Sequence, residues 1–179
     1  MITVSKLYTE APDVLRTPLQ ERTYHALEEM RIPYQRVETR NVMTMEECAA
    51  ADCALGAKIV KTLFLCNRQQ TVFYLFVTPG DKPFCSKNFS AALGVSRVSF
   101  APRERLEDML GVSVGATTVF SLLLDSAKEV RPVFDSEVVR EEWFGCSDGT
   151  CDEYLKLRTR DVLERLLPET RHAAQIVEV

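Results

Sequence analysis

The sequence predicts an α+β fold: a mixed β-sheet of about seven strands flanked by helices, in a single domain over 1–179. Three observations lead there. Runs rich in β-branched and aromatic residues alternate with stretches of helical period that carry helix caps. Two strong runs, 58–66 and 71–78, are joined by a polar turn and so predict an antiparallel hairpin. Other runs are separated by helical segments, which require crossovers, and hairpins with crossovers together make a mixed sheet.

Each element has its own local signal. Residues 1–16 carry no period and are expected to form a loosely ordered leader. Thr17-Pro18-Leu19-Gln20 places a cap, a proline at the first helical position and a glutamine at the third, which starts a helix ending near Ile32-Pro33. A short strand is expected over 34–38. Thr44-Met45-Glu46-Glu47 is a second capping box, opening a helix through about Ala51. On it Met45, Cys48 and Ala49 share one face. Leu55-Gly56 leads into the hairpin, and residues 79–83 form a turn.

Ser86 is expected to cap a helix through Leu93 that Gly94 terminates. A short strand over 95–100 and a helix over 102–110, closed by Gly111, follow. The small-residue loop 111–118 then delivers the chain to a strand over 119–124. A further strand over 130–134 contains Pro132, which argues for an edge. A helix over 136–143, a loop over 144–150 and a strand over 152–158 come next. The last elements are a helix from Thr159 broken by Pro168 and a strand over 174–179.

A net charge of −4 leaves no global basic footprint, so contact with nucleic acid would have to be local. No apolar run approaches the ~18 residues of a membrane span and the N-terminus has no signal pattern, so a cytoplasmic location is expected. The six cysteines include the pairs Cys48/Cys53 and Cys146/Cys151, whose spacing is looser than the usual zinc knuckle. Core thiols are expected, with no metal and no cofactor. With only His25 and His172, and no GxSxG, HExxH or phosphate-loop motif, nucleophilic triads have few ways to form.

The informative residue is Lys61. It interrupts a strand whose later residues are apolar on both faces, and lysine is rarely buried without a partner. Either it snorkels outward or it faces a pocket that holds an anion. The loop 111–118 is either a plain connection or a source of exposed backbone amides. Together with the Met45/Cys48 helix face, these parts could stabilise an oxyanion and a phosphate without a side-chain nucleophile.

Gly56-Ala57-Lys58-Ile59-Val60-Lys61-Thr62-Leu63-Phe64-Leu65 resembles the signature strand of the YbaK/prolyl-tRNA-synthetase-associated domain family. The likeness extends, in order, through the Thr17-Pro18 helix, Asp81-Lys82, Gly94-Val95-Ser96-Arg97-Val98-Ser99-Phe100 and Leu110-Gly111-Val112 to Gly115. It is strongest to the free-standing trans-editing branch (PrdX- and ProXp-ala-like). The resemblance implies a barrel-like sheet and an aminoacyl-tRNA hydrolase of the carboxylic ester hydrolase class. The implied substrate is a small amino acid mischarged on tRNA, most simply Ala-tRNA(Pro). The implied partners are the tRNA acceptor end and, as a candidate, prolyl-tRNA synthetase; neither membrane nor DNA is implied.

Carried over residue by residue, the resemblance makes Lys61 the contact to the 3′-terminal nucleotide. The amides at Gly115 and Ala116 would hold the ester carbonyl. Met45, Cys48, Gly111, Val114, Gly145 and Cys146 would line the amino-acid pocket. Three departures stand at that pocket. Val114 and Val119 occupy positions where the family carries prolines. The family's His-Pro-x-x-Asn segment reads Gly145-Cys146-Ser147-Asp148-Gly149. These departures motivate an alternative, a non-catalytic aminoacyl-tRNA or nucleotide-binding module of the same fold.

Overall fold

The computed structural model describes residues 3–40 and 48–179. Helix α1, Pro18–Glu29, starts where the capping box requires: the Thr17 side chain accepts from the Gln20 N–H, 3.0 Å away. Strand β1, Gln35–Glu38, follows. Thr44 to Glu47, and Met45 with them, lie outside the described residues. Helix α2, Ala49–Leu55, ends at Gly56, whose left-handed φ of 61° suits glycine. Strand β2, Lys61–Asn67, pairs antiparallel with β3, Phe73–Thr78, as the hairpin signal predicts.

Helix α3 is Ser86–Leu93, strand β4 Val98–Phe100 and helix α4 Arg103–Leu110. Strand β5, Arg131–Asp135, runs into helix α5, Ser136–Arg140. Strands β6, Trp143–Ser147, and β7, Glu153–Arg158, form a second antiparallel pair. The C-terminal helix is α6, Thr159–Asp161, a π turn over Val162–Leu166, and α7, Leu167–Glu169; strand β8, Gln175–Val177, ends the described elements.

The strands form two sheets, β4-β2-β3-β5-β8 and β1-β7-β6. The first is mixed, because β5 runs parallel to both β3 and β8 while β2 is antiparallel to its neighbours. A parallel bridge between Ile59 and Gly145, just upstream of β2, links the two sheets by backbone, and Phe134 of β5 packs on Phe144 of β6 in the core they share. Among the described residues they do not close into a barrel.

Several elements differ from the sequence expectation, each for a physical reason. Residues 119–124 are not a strand: Val119–Leu123 and Asp125–Ala127 are 3₁₀ turns. Thr118 caps the first, and the buried Ser121 hydroxyl donates to the Leu110 carbonyl at 2.8 Å. Residues 143–147 are a strand, not a loop, because pairing with β7 overrides their turn-forming residues. Strand β5 is internal rather than at an edge. Strand β8 pairs only from Val133 onward, so Pro132 sits where that ladder has not yet begun. Pro168 does not end its helix; in the π turn the Leu167 N–H reaches Val162, and the helix continues through the proline.

The segment expected to be a loose leader is tied along its described part. Ser5 and Tyr8 donate backbone N–H groups to Glu38 and Arg36 of β1. Arg36 is buried. Its Nε donates to the Glu10 carbonyl and its Nη1 to Glu38 and Glu153, at 2.7, 2.9 and 3.0 Å. A buried guanidinium needs such partners, and the leader supplies one of them.

This cluster sets a pH dependence. Burial pushes the Glu153 carboxyl up to about 7; Arg36 opposes the shift, while the charges of Asp148 and Glu38 add to it. The unfolded chain returns it to its ordinary 4.5. Between those values the folded state binds a proton that the unfolded state lacks, so stability falls as pH rises. Melting temperatures of wild type and Glu153→Gln from pH 5 to 8 check this. The variant should gain on wild type toward pH 8; a constant gap would refute the assignment.

Candidate functional site

Strand β4 covers the edge of β2 only from Leu65 to Asn67. Upstream, a cleft of about 480 Å³ opens beside β2, with Ile59 to Phe64 along one wall. Helix α4 contributes Arg103 and Leu106, and β4 contributes Phe100. The opposite wall is Val114, Gly115 and Thr117 of the small-residue loop, and the rest is Cys48, Ser147 and Tyr154.

The described lining carries two cations, Lys61 and Arg103, and no carboxylate. In an acidic chain that is a local inversion of charge. A second cleft, beside Ile59 and Val60, is lined by four carboxylates, Asp52, Asp81, Glu137 and Glu141, against one cation, Lys58. The Lys61 cleft is the one that fits an anion.

Lys61 is half-buried, and its Nζ donates to the Lys82 carbonyl at 2.7 Å. An ammonium has three N–H donors, so two remain for a ligand. Gly115 has φ of 93°, a conformation that favours glycine. The N–H groups of Gly115 and Thr117 have no protein acceptor among the described residues. Ser147 and Tyr154 face each other across the β6–β7 pair. Burial holds the Tyr154 hydroxyl protonated, and its hydrogen-bond partner Cys48 adds to that effect.

The structure brings together Lys61, Cys48, Val114 and Gly115 of the residues named from sequence. Four others lie elsewhere. Ala116 is buried in the core, and its amide already donates to the Ser113 carbonyl at 3.1 Å. The residues on either side of it, Gly115 and Thr117, line the cleft. Gly111 is the left-handed cap of α4, where a Cβ would meet Leu124 at 2.9 Å. Gly145 lies inside β6 against the backbone of Lys58. Cys146 points into the core, opposite Leu155. Burial, then the charge of Asp148, pushes its thiol up, which removes it as a nucleophile.

Sequence reasoning passed over Ser147, Thr117, Tyr154 and Phe100. The period of two would have found Ser147 and Tyr154 had 143–147 been read as a strand, because Phe144 and Cys146 then take the core face. Among the described residues no group of three metal-binding side chains occurs, and no helix is long and apolar enough to cross a membrane.

A mixed-sheet α+β fold with a cation-lined cleft at an uncovered strand edge is the class to which this chain belongs. The same fold is found in a solved structure described as a candidate trans-editing enzyme for prolyl-tRNA synthetase. The TM-score is 0.67 at 19% identity, over 92% of this chain and 99% of that one. The family model of the aminoacyl-tRNA editing domain matches residues 39–164. The chain belongs to the aminoacyl-tRNA editing domain family. Among named relatives it is 34% identical to the prolyl-tRNA editing protein ProX of Acetoanaerobium sticklandii, over 63% of this chain and 69% of that protein. It is 29% identical to prolyl-tRNA synthetase associated domain-containing protein 1 of Danio rerio, over 93% of this chain and 89% of that protein.

Proposed function

We propose that this protein is an aminoacyl-tRNA hydrolase that removes a small mischarged amino acid from tRNA, with Ala-tRNA(Pro) as its substrate. The observation that carries the reading is that Lys61 and Gly115 line one cleft with no carboxylate in its described lining. Lys61 holds the phosphate of the 3′-terminal nucleotide, and the Gly115 and Thr117 amides receive the ester carbonyl. Water adds to that carbonyl, and the neighbouring ribose hydroxyl of the substrate relays the proton, accepting it from the water while giving up its own toward the ester's ribose oxygen. The tetrahedral intermediate collapses, the C–O bond to the ribose breaks, and the ribose oxygen takes up the proton. The products are free amino acid and uncharged tRNA. Oxyanion donors of this kind are worth about 10²–10³ in rate.

Cys48, Val114 and Tyr154 bound the amino-acid end, and a small pocket rejects a larger side chain by overlap. Prolyl-tRNA synthetase, which charges the same tRNA, is the partner this reading names, and the cytoplasm is its location. The test is a panel of Ala-, Ser-, Cys- and Pro-tRNA(Pro) with enzyme in excess. Alanine should be released fastest, and Pro-tRNA(Pro) should survive at least about 100-fold longer. If every ester stays intact the hydrolase reading fails, and retained affinity for the charged 3′ end would then favour a binding module of the same fold.

A further inference from the structure

We propose that Lys82 and Asp135 are a positioning pair for Lys61: they moor the turn whose carbonyl holds the Lys61 ammonium. The kinetic part of this proposal rests on the hydrolase reading; the placement of Lys61 does not.

The contacts form a closed ring. Lys61 and Thr78 face each other in the β2–β3 register. Beyond Thr78 the chain turns, with the Lys82 N–H donating to the Pro79 carbonyl at 3.1 Å. That turn brings the Lys82 carbonyl to 2.7 Å from Lys61 Nζ. The Lys82 side chain leaves in another direction. Its Nζ donates to Asp135 Oδ2 at 2.9 Å and to Glu137 Oε1 at 2.6 Å. The Asp135 side chain is fully buried. Its Oδ2 also accepts from the Thr78 hydroxyl at 3.2 Å, and its Oδ1 from the Glu137 N–H at 3.0 Å. The carboxylate is thus fixed by β3 and by the first turn of α5, and it fixes Lys82 in turn.

The energetics favour Asp135 as the anchor. A buried carboxylate demands a cation, whereas Glu137 is 55% exposed and water competes for its contact. Lysine's flexible four-carbon stem otherwise leaves its ammonium free among many rotamers. Holding one ammonium donor at a fixed carbonyl removes much of that freedom before substrate arrives and leaves two donors aimed by the same bond.

The experiment is a kinetic cycle with a structural arm. Lys82→Met should lower kcat for Ala-tRNA(Pro) about tenfold with KM nearly unchanged. Lys82→Arg, which can still span both carboxylates, should recover most of that loss. In a Lys61→Met background, Lys82→Met should have no further effect, since residues acting through one another are not additive. Because Lys82→Met leaves Asp135 unpaired, the double variant Lys82→Met/Asp135→Asn removes both charges and should show the same loss in kcat. The structural arm is brief acetic anhydride labelling read by peptide mass spectrometry. Lys61 should acetylate at least about threefold faster in Lys82→Met than in wild type. If wild type proves to have no hydrolase activity, labelling alone decides. Wild-type kcat in Lys82→Met, additive losses in the cycle, or equal labelling rates would each overturn the proposal.

Discussion

Replacing Lys61 by methionine should slow single-turnover deacylation of Ala-tRNA(Pro) by at least about 100-fold. Methionine keeps a flexible stem of similar length beside β2 and removes only the ammonium. The fold should tolerate this. Lys61 is half-buried at the end of its strand, and among the described residues its side chain donates to a backbone carbonyl. Melting within a few degrees of wild type is the control. Lys61→Arg should recover binding more than rate. A guanidinium is longer and planar, so it cannot keep the 2.7 Å contact to the Lys82 carbonyl and still present its charge at the same point. A KM near wild type with a reduced kcat is the expected pattern. If Lys61→Met cleaves as fast as wild type, the cleft assignment fails, while family membership, which rests on residues 39–164 as a whole, is untouched.

What the sequence made legible depended on how local the deciding physics was. Helix ends were legible because caps act within one turn: Thr17 with Pro18, Gly94 and Gly111 all sit where their chemistry predicts. The β2–β3 hairpin was legible because turn and period agree. Residues 119–124 were not, since a short apolar run has no period that separates a buried strand from a buried turn. There the outcome rests on Thr118 and on the Ser121 hydroxyl reaching Leu110, a contact across a loop. Strand β6 was hidden because Gly145 and Ser147, with Asp148 and Gly149 just beyond it, are turn formers, and only pairing with β7 makes 143–147 a strand.

The site divides along the same line. Lys61, Cys48, Val114 and Gly115 line one cleft; Lys61, Val114 and Gly115 lie within the segments that carry the resemblance, and Cys48 stands at the start of α2. Ala116 and Cys146 do not converge, because which neighbour faces the cleft is set by pairing and packing at long range. A one-residue difference on a strand reverses the face. That is why Ser147, next to Cys146, reaches the cleft and Cys146 does not.

Gly145→Ala should be the most damaging single methyl group in the described chain, costing about 2–3 kcal/mol and lowering the melting temperature by roughly 5–10 °C. The conflict is steric. A Cβ at this position would sit 2.6 Å from the Lys58 carbonyl oxygen, 2.9 Å from its carbon and 3.0 Å from Ile59 Cα. All three are backbone atoms, so no side chain can swing aside. This is also the backbone bridge between the two sheets, where the Gly145 carbonyl accepts the Val60 N–H at 2.8 Å. Relief of the clash must move residues 58–60, and the next residue is Lys61. A loss of activity beyond the loss of folded protein is therefore expected. Gly94→Ala separates this cause from the general cost of losing a glycine. Gly94 has φ of 69°, and a methyl group there would meet nothing within 4 Å, so its substitution should cost only about 1 kcal/mol of backbone strain and leave activity intact. Chemical denaturation of both variants, with activity per folded molecule, decides the matter. Equal losses would overturn the steric reading, since Gly145, unlike Gly94, has no left-handed φ to account for a cost. A loss confined to Gly145→Ala, in stability and in activity together, would mean that Gly145 serves to let the two sheets meet beside Lys61.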